Sequence, residues 1–276
     1  MISKESLSEL KQRRGLTDLK LIVTSPLSAE SCSTELEEFL ADIGLPYVPR
    51  SGKSLPRLMQ EYHADGVVVW KDNGPVLHFG GEQFFFHPSM AKIRIGAYRK
   101  SNQDDPMIKA CGLQKGDSFL DCTLGLGADA VVASFFTNDK VVGLESSPVV
   151  AAIIKWGMRC FTSDISWLTE PIQRIEVINA DHNQFLAQQA SNSFDVVYFD
   201  PMFRQPLMSS QPLSPLRNLA DPRPLSLDTI EEACRVARTR VVVKERSDGE
   251  EFRRLGIETI LSTAGHKLAY GVINIS

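Results

Sequence analysis

Paired cysteines are missing from this sequence. Cys32, Cys111, Cys122, Cys160 and Cys234 are odd in number, scattered, and never in a C-x-x-C arrangement. That speaks against a disulfide framework and a cysteine-held zinc, and fits a reducing compartment. The five histidines do not gather with the cysteines either, so no protein-held metal is expected. Long apolar runs are also absent: none approaches the roughly 20 residues that a helix needs to span a bilayer. The opening Met1-Ile2-Ser3-Lys4-Glu5 is polar and is not expected to be a secretory signal, and Lys11 to Arg14 reads as a solvated tail. A cytoplasmic protein is the expectation. A basic excess is lacking as well, since 30 Lys and Arg stand against 34 Asp and Glu, a net charge of −4. Chains that live on nucleic acid usually carry a basic excess or at least a basic face. Lys92, Arg94, Arg99 and Lys100 are one candidate for such a local face.

What is present is a chain of 276 residues, 43% hydrophobic, enough for one large core or for a main domain with a smaller partner. The pattern divides it into a small α/β unit over residues 1–95 and a larger one over 96–276. In the first, Leu19 to Val23 is a short apolar strand. A helix follows, capped by Ser33 or Thr34, with Leu36, Phe39, Leu40 and Ile43 on one face and Gly44 as its stop. A second helix near Leu55 to Tyr62 precedes the strand Gly66 to Trp70, and Asn73-Gly74 marks a tight turn into Val76 to Phe79, a hairpin. Between the two units, Phe84, Phe85 and Phe86 before His87-Pro88 cannot all face one side of a regular element. They are expected to fill the seam between the units, or one of them to line a cleft.

From Asp104 on, strands and helices alternate. Strands are expected at Ser118 to Cys122, Lys140 to Glu145, Ile175 to Ile178, Phe194 to Phe199 and Arg240 to Lys244, with helices at Ala130 to Phe136, Pro148 to Met158, Asn183 to Gln189 and Leu227 to Ala237. Such units imply an α/β fold, Rossmann-like, with a mainly parallel sheet covered on both faces. Lys267 to Ile275 is expected to be an antiparallel edge strand. The stretch 201–224 breaks the rhythm with six prolines, the mark of a functional or disordered loop.

The central motif is Asp121-Cys122-Thr123-Leu124-Gly125-Leu126-Gly127-Ala128-Asp129-Ala130, a strand running through a glycine turn into a helix. Eighteen residues past Gly127 the second strand ends in Glu145, placed to accept hydrogen bonds from the hydroxyls of a ribose. Gly125-x-Gly127-x-x-Ala130 formally matches the dinucleotide fingerprint, so an NAD-linked oxidoreductase is one reading. Asp121 favours another. A carboxylate beside the turn repels a pyrophosphate but attracts a sulfonium and an ammonium, which points to S-adenosylmethionine (SAM). Asp129 at the helix start suits the same ligand, or is a favourable charge in the first turn. After the third strand comes Asp181, a candidate partner for the adenine amine or an N-cap for the next helix, and these roles are compatible. Thr123, Gly125, Gly127, Ser146 and His182 complete the expected cofactor contacts. All of these acids fall on the carboxyl edge, where open α/β sheets bind ligands.

After the fourth strand stands Asp200-Pro201-Met202-Phe203, where amino-group methyltransferases carry an Asp/Asn-Pro-Pro-aromatic motif. Asp200 and the Pro201 carbonyl can accept hydrogen bonds from an exocyclic amine and aim its lone pair, and Phe203 can stack on a flipped base. The alternative is a strand-terminating turn with a core phenylalanine. Asp121-x-Thr-x-Gly-Leu-Gly-x-Asp129, Glu145 and Asp200-Pro-Met-aromatic resemble the bacterial small-subunit ribosomal RNA guanine-N2 methyltransferase family. Gly80 to Pro88 and Val241-Val242-Val243-Lys244 look closer still to a related group of Firmicute methyltransferase-like proteins. The resemblance covers about residues 80–275 and implies cofactor or catalytic roles for Asp129, Glu145, Asp181 and Asp200, with RNA as the partner. Ala128 stands where that family has arginine, Phe203 where it has tyrosine, and Arg204 where it has a second proline. Lys244 is expected either to meet RNA or to be solvated at its strand end, and Arg204, Arg217 and Arg223 to meet a polyanion. A catalytically silent, RNA-binding cofactor fold is the non-enzymatic alternative.

Overall fold

The computed structural model describes residues 19–26, 33–201, 223–262 and 267–275. Two sheets organise it. The smaller has the order β1-β2-β3-β4, from β1 (Leu21–Thr24), β2 (Gly66–Lys71), β3 (Gly74–Phe79) and β4 (Glu82–Phe84). β1 and β2 run parallel, and β2, β3 and β4 form an antiparallel meander around the expected Asn73-Gly74 turn. Helix α1 (Thr34–Ile43) starts at Ser33, whose hydroxyl accepts from the Leu36 amide, and stops at Gly44 in the left-handed region, φ 66°. Helix α2 (Leu55–Tyr62) is capped in the same manner by Ser54.

The larger sheet holds β5 (Phe119–Asp121), β6 (Val141–Glu145), β7 (Ile175–Asn179), β8 (Phe194–Phe199), β9 (Ala237–Arg246), β10 (Thr259–Ser262) and β11 (Leu268–Asn274). Its order is β10-β11-β9-β8-β5-β6-β7. β5 to β9 are parallel, and β11 lies antiparallel to both β9 and β10. The last segment is thus antiparallel as expected but is not an edge: β10, whose four residues are all exposed, covers its outer side. Helices α3 (Ser89–Ser101), α4 (Pro106–Cys111), α5 (Ala128–Thr137), α6 (Pro148–Arg159) and α7 (Ser166–Gln173) supply one buried layer. Helices α8 (His182–Gln188), α9 (Leu227–Val236) and α10 (Glu251–Arg254) supply the other.

The period of two along each strand assigns the layers. Phe119, Val196, Tyr198 and Val242 pack into the first, and Leu120, Val197, Phe199, Val241 and Val243 into the second. The first layer also takes in Leu21, Val23, Phe39, Val68 and Leu77 of the small sheet, so the two sheets share one core. Phe39, Trp70 and Trp156 meet there with ring centroids 5.0–6.1 Å apart. The Trp156 indole N–H donates to Asp42 at 2.7 Å. Phe84 and Phe86 are buried in this core while Phe85 is exposed, which bears out the seam reading for two of the three aromatics. Gly157 makes the approach possible, because a Cβ there would sit 2.4 Å from that of Phe86. Helix α3, which the sequence pattern does not announce, runs through residue 95, where that pattern divides the chain.

Candidate active site

The carboxyl ends of β5, β6, β7 and β8 lie side by side, so the acids there come from separate parts of the sequence to one edge. After β5 the chain enters the glycine turn with Gly125 at φ 50° and Gly127 at φ 74°, a region in which a side chain is strained. A Cβ on Gly127 would also strike Met158 at 2.4 Å. The turn delivers the chain into α5, whose second residue is Asp129.

The acids on this edge have two different environments. Asp121 is 1% exposed, and its carboxyl accepts from the Thr123 amide at 3.0 Å. Burial, followed by the nearby charge of Asp129, drives its pKa well above the usual carboxylate range. Glu145 is buried at the end of β6 and accepts from the Ser147 amide at 2.8 Å. Burial raises its pKa too, against the pull of hydrogen bonds from Ser147, Gly125 and Ser146. No cation among the described residues is bonded to either carboxyl.

Asp129 is buried but amply matched. One oxygen pairs with Arg94 of α3; the other accepts from the Tyr198 hydroxyl at 2.8 Å and from Lys244 Nζ at 3.0 Å. Burial opposes its ionisation, but Lys244 and Arg94 outweigh burial and hold its pKa well below the ordinary value. Arg94 in turn grips both oxygens of Asp105 at 2.8 Å. Lys244 also reaches Asp200 at 2.7 Å. Strand register explains that contact: Tyr198 lies abreast of Val242 and Phe199 of Val243, so the next pair in line is Asp200 and Lys244. Asp200 is further tied through its backbone N–H, which donates to Thr123 Oγ1 at 2.5 Å.

Several expectations change here. Lys244 is neither solvated nor facing outwards, because its side chain is 13% exposed and held between two carboxylates. Arg94 drops out of the basic face, being committed to Asp105 and Asp129, while Lys92, Arg99 and Lys100 are exposed. Arg99 lies over the Trp167 ring at 5.0 Å. Asp129 turns inward, with both oxygens bonded to protein groups. Asp181 is the N-cap of α8, accepting from Asn183 and Gln184 amides at 2.9 and 3.3 Å, and its second oxygen takes Arg223 at 2.6 Å. His182 packs edge-on to Phe199, and the Ser146 carbonyl accepts from Asn179 Nδ2 at 3.2 Å. Pro201 is described; Phe203, Arg204 and Arg217 lie outside the described residues. Cys122 is a buried free thiol, as its strand position implies.

Arg94, Tyr198 and the inward role of Lys244 are the members that sequence reasoning misses. One signal was available: a lysine in a run of buried valines must be paired if it is buried. The partner was beyond reach, because Asp129 lies 115 residues away in sequence.

A family model described as "Putative SAM-dependent methyltransferase" matches residues 86–267, most of the chain. This chain belongs to that SAM-dependent methyltransferase family. A Bacillus subtilis relative, "Uncharacterized protein YpiP", is 35% identical over 93% of this chain and 100% of its own length. "Ribosomal RNA small subunit methyltransferase J" of Thioalkalivibrio sulfidiphilus is 26% identical over 81% of this chain and 87% of its own. Among solved structures, a SAM-dependent methyltransferase from Neisseria gonorrhoeae matches in fold with a TM-score of 0.61. It is 19% identical, with 92% of this chain and 95% of that one covered. The seven-stranded sheet of this methyltransferase, with its one antiparallel strand, is the class I methyltransferase arrangement. SAM, and not a dinucleotide, is therefore the cofactor. No described helix is long and apolar enough to cross a membrane.

Proposed function

We propose that this methyltransferase methylates an exocyclic amine of a base in RNA, with ribosomal RNA as the substrate. The observation that carries the reading is Asp200. It follows β8 directly, its backbone is fixed by Thr123, and of its carboxylate only Oδ2 is bonded among the described residues. Oδ1 is thus left on the ligand edge as an acceptor for an amine N–H. The relatives named for small-subunit ribosomal RNA methylation support the choice of RNA.

SAM supplies a methyl group activated by its sulfonium. Asp121, Thr123, Gly125 and Gly127 would form the wall beside its charged end, Glu145 and Ser146 would receive its ribose hydroxyls, and Asp181 with His182 would border its base. Methyl transfer is an in-line displacement, so the chain's task is to hold the acceptor nitrogen with its lone pair aimed. Asp200 Oδ1 and the Pro201 carbonyl accept the two amine hydrogens, which fixes the plane of the group. Phe203 stacks on the base once it leaves its helix. The exposed Lys92 and Lys100, with Arg99, offer the polyanion a basic face despite the net negative charge of the chain.

The test is transfer of radiolabelled methyl from SAM to small-subunit RNA and particles taken from a strain lacking the gene, with the same material from the parent strain alongside. Label is expected in the deletion-strain RNA, little in the already methylated parental RNA, and at least ~100-fold less with Asp200→Ala. A SAM-binding protein that labels neither RNA would overturn the reading.

A further inference from the structure

We propose that Lys244 is a positioning residue for methyl transfer: it grips Oδ2 of Asp200, so that Oδ1 alone is presented to the incoming amine. The inference rests on the reading of Asp200 given above and adds a part that neither the motif nor the family match assigns.

The geometry separates this role from simple neutralisation of Asp129. Asp129 already has Arg94 on one oxygen and the Tyr198 hydroxyl on the other, so its hydrogen bonding is met without the lysine. Among the described residues, the Asp200 carboxylate has only Lys244. Asp200 is therefore clamped at two points, by Thr123 Oγ1 on its backbone N–H at 2.5 Å and by Lys244 Nζ on Oδ2 at 2.7 Å. Two fixed points leave the carboxylate plane little freedom, and an acceptor that need not be ordered during reaction costs nothing at that step. The lysine is itself well anchored. Its strand neighbours Val241, Val242 and Val243 are buried, and Tyr270 lies abreast of it on β11. A buried lysine is costly unless paired, and here both its partners sit at the site.

The charges around the pair come from every element that packs on it. The charged and titratable groups are Arg94 on α3, Asp105 before α4 and Cys111 on it, Asp121 at the end of β5, Asp129 on α5, Tyr198 on β8, Glu245 next to the lysine on β9 and Tyr270 on β11. Without Lys244, Asp200 faces Asp129, Asp121 and Glu245, with Arg94, already engaged twice, as counter-charge. Burial already raises the pKa of Asp200 and Lys244 opposes that rise. Loss of the lysine thus moves Asp200 towards its protonated form, a poor acceptor.

The experiment compares Lys244→Met, Lys244→Arg and wild type in two ways. One is the titration of Asp200 by carbon-13 carboxyl NMR of aspartate-labelled full-length protein, assigned with Asp200→Asn. The other is the pH profile of methyl transfer at saturating SAM. In K244M the Asp200 titration and the acid limb of kcat are expected to move up together by more than about one pH unit. At pH 7.5, kcat should fall about 100-fold, with SAM affinity within about threefold. K244R should restore the titration and at least about a tenth of kcat. If K244M does not fold, K244M/D129N, which removes the second carboxylate that the lysine faces, is compared with D129N, and kcat is expected to drop a further tenfold or more. An unchanged Asp200 titration or an unchanged kcat on loss of the lysine overturns the proposal. If wild type labels no RNA while K244M still shifts the Asp200 titration, the RNA substrate is wrong and the clamp stands.

Discussion

Asp121 and Asp129 stand eight residues apart, both buried at the same sheet edge, and the protein treats them in opposite ways. Asp129 is surrounded by Arg94, Lys244 and Tyr198; Asp121 is given one backbone N–H. A buried charge without a partner is expensive, and the fold bonds two cations to one carboxyl and none, among the described residues, to its neighbour. The lesson is that acid identity and position do not define a ligand site. On the proposed reading, what defines it is a carboxyl left without a bonded cation: Asp121 and Glu145 have none among the described residues, whereas Asp129 belongs to the frame around Asp200.

The comparison can be broken most sharply at Asp129. Asp129→Ala leaves Lys244 and Arg94 facing one another with a carboxylate gone, and the loss of one partner from a buried ionic cluster costs about 3–5 kcal/mol of stability. Chemical denaturation at pH 7 measures it. The sign with pH follows from the lowered pKa of Asp129. Its stabilising contribution is present above the ordinary carboxylate range and is lost as pH falls through the depressed value, so the gap between wild type and variant should narrow in acid. Asp129→Ala as stable as wild type would show the cluster to be slack.

Asp121→Asn comes next and should act on the ligand, not the fold. The raised pKa of Asp121 means that its protonated form suits the empty protein: that contribution to stability is full below about pH 4 and lost as pH rises through the elevated folded value. The asparagine variant is therefore expected to match or exceed wild-type stability at pH 8 while losing about 1.5–3 kcal/mol of SAM affinity, roughly 10- to 100-fold. Calorimetry should show wild-type affinity for SAM rising with pH as Asp121 ionises, and rising less in the variant. The same pH dependence in wild type and variant would remove the distinction between the two acids.

The same contrast explains how much of the molecule was legible in the sequence. The alternation of apolar strands and helices, the caps at Ser33 and Gly44 and the Asn73-Gly74 turn are local, and each is written in a few adjacent residues. The glycine turn and the strand-end acids are also local, and the parallel sheet carries them to one edge without further instruction. Compensation is not local. Arg94 reaches Asp129 from a helix whose sequence, with Gly96 and the exposed Met90 and Ile93, has a weak apolar stripe. Lys244 depends on the register of β8 and β9. The place of β11 inside the sheet required β10, four exposed residues whose pairing was not written in any strong alternation.

Asp181 offers the smallest and finest test, because it combines both treatments in one side chain. One oxygen caps α8 and the other meets Arg223. Burial raises its pKa, but the Arg223 hydrogen bond and the Gln184 amide together outweigh burial and lower it. The ion pair joins a half-buried acid to an arginine that is 64% exposed, so screening leaves it worth less than about 1 kcal/mol. Asp181→Asn keeps a good cap and an acceptor and should change stability by less than about 0.5 kcal/mol. Asp181→Ala loses the cap, about 1 kcal/mol, and if the residue also receives the adenine amine, SAM affinity should fall about tenfold in the alanine variant and far less in asparagine. Parallel loss of stability without loss of affinity would assign Asp181 to the helix alone, and would leave Asp121 and Glu145 as the acids proposed to meet the cofactor.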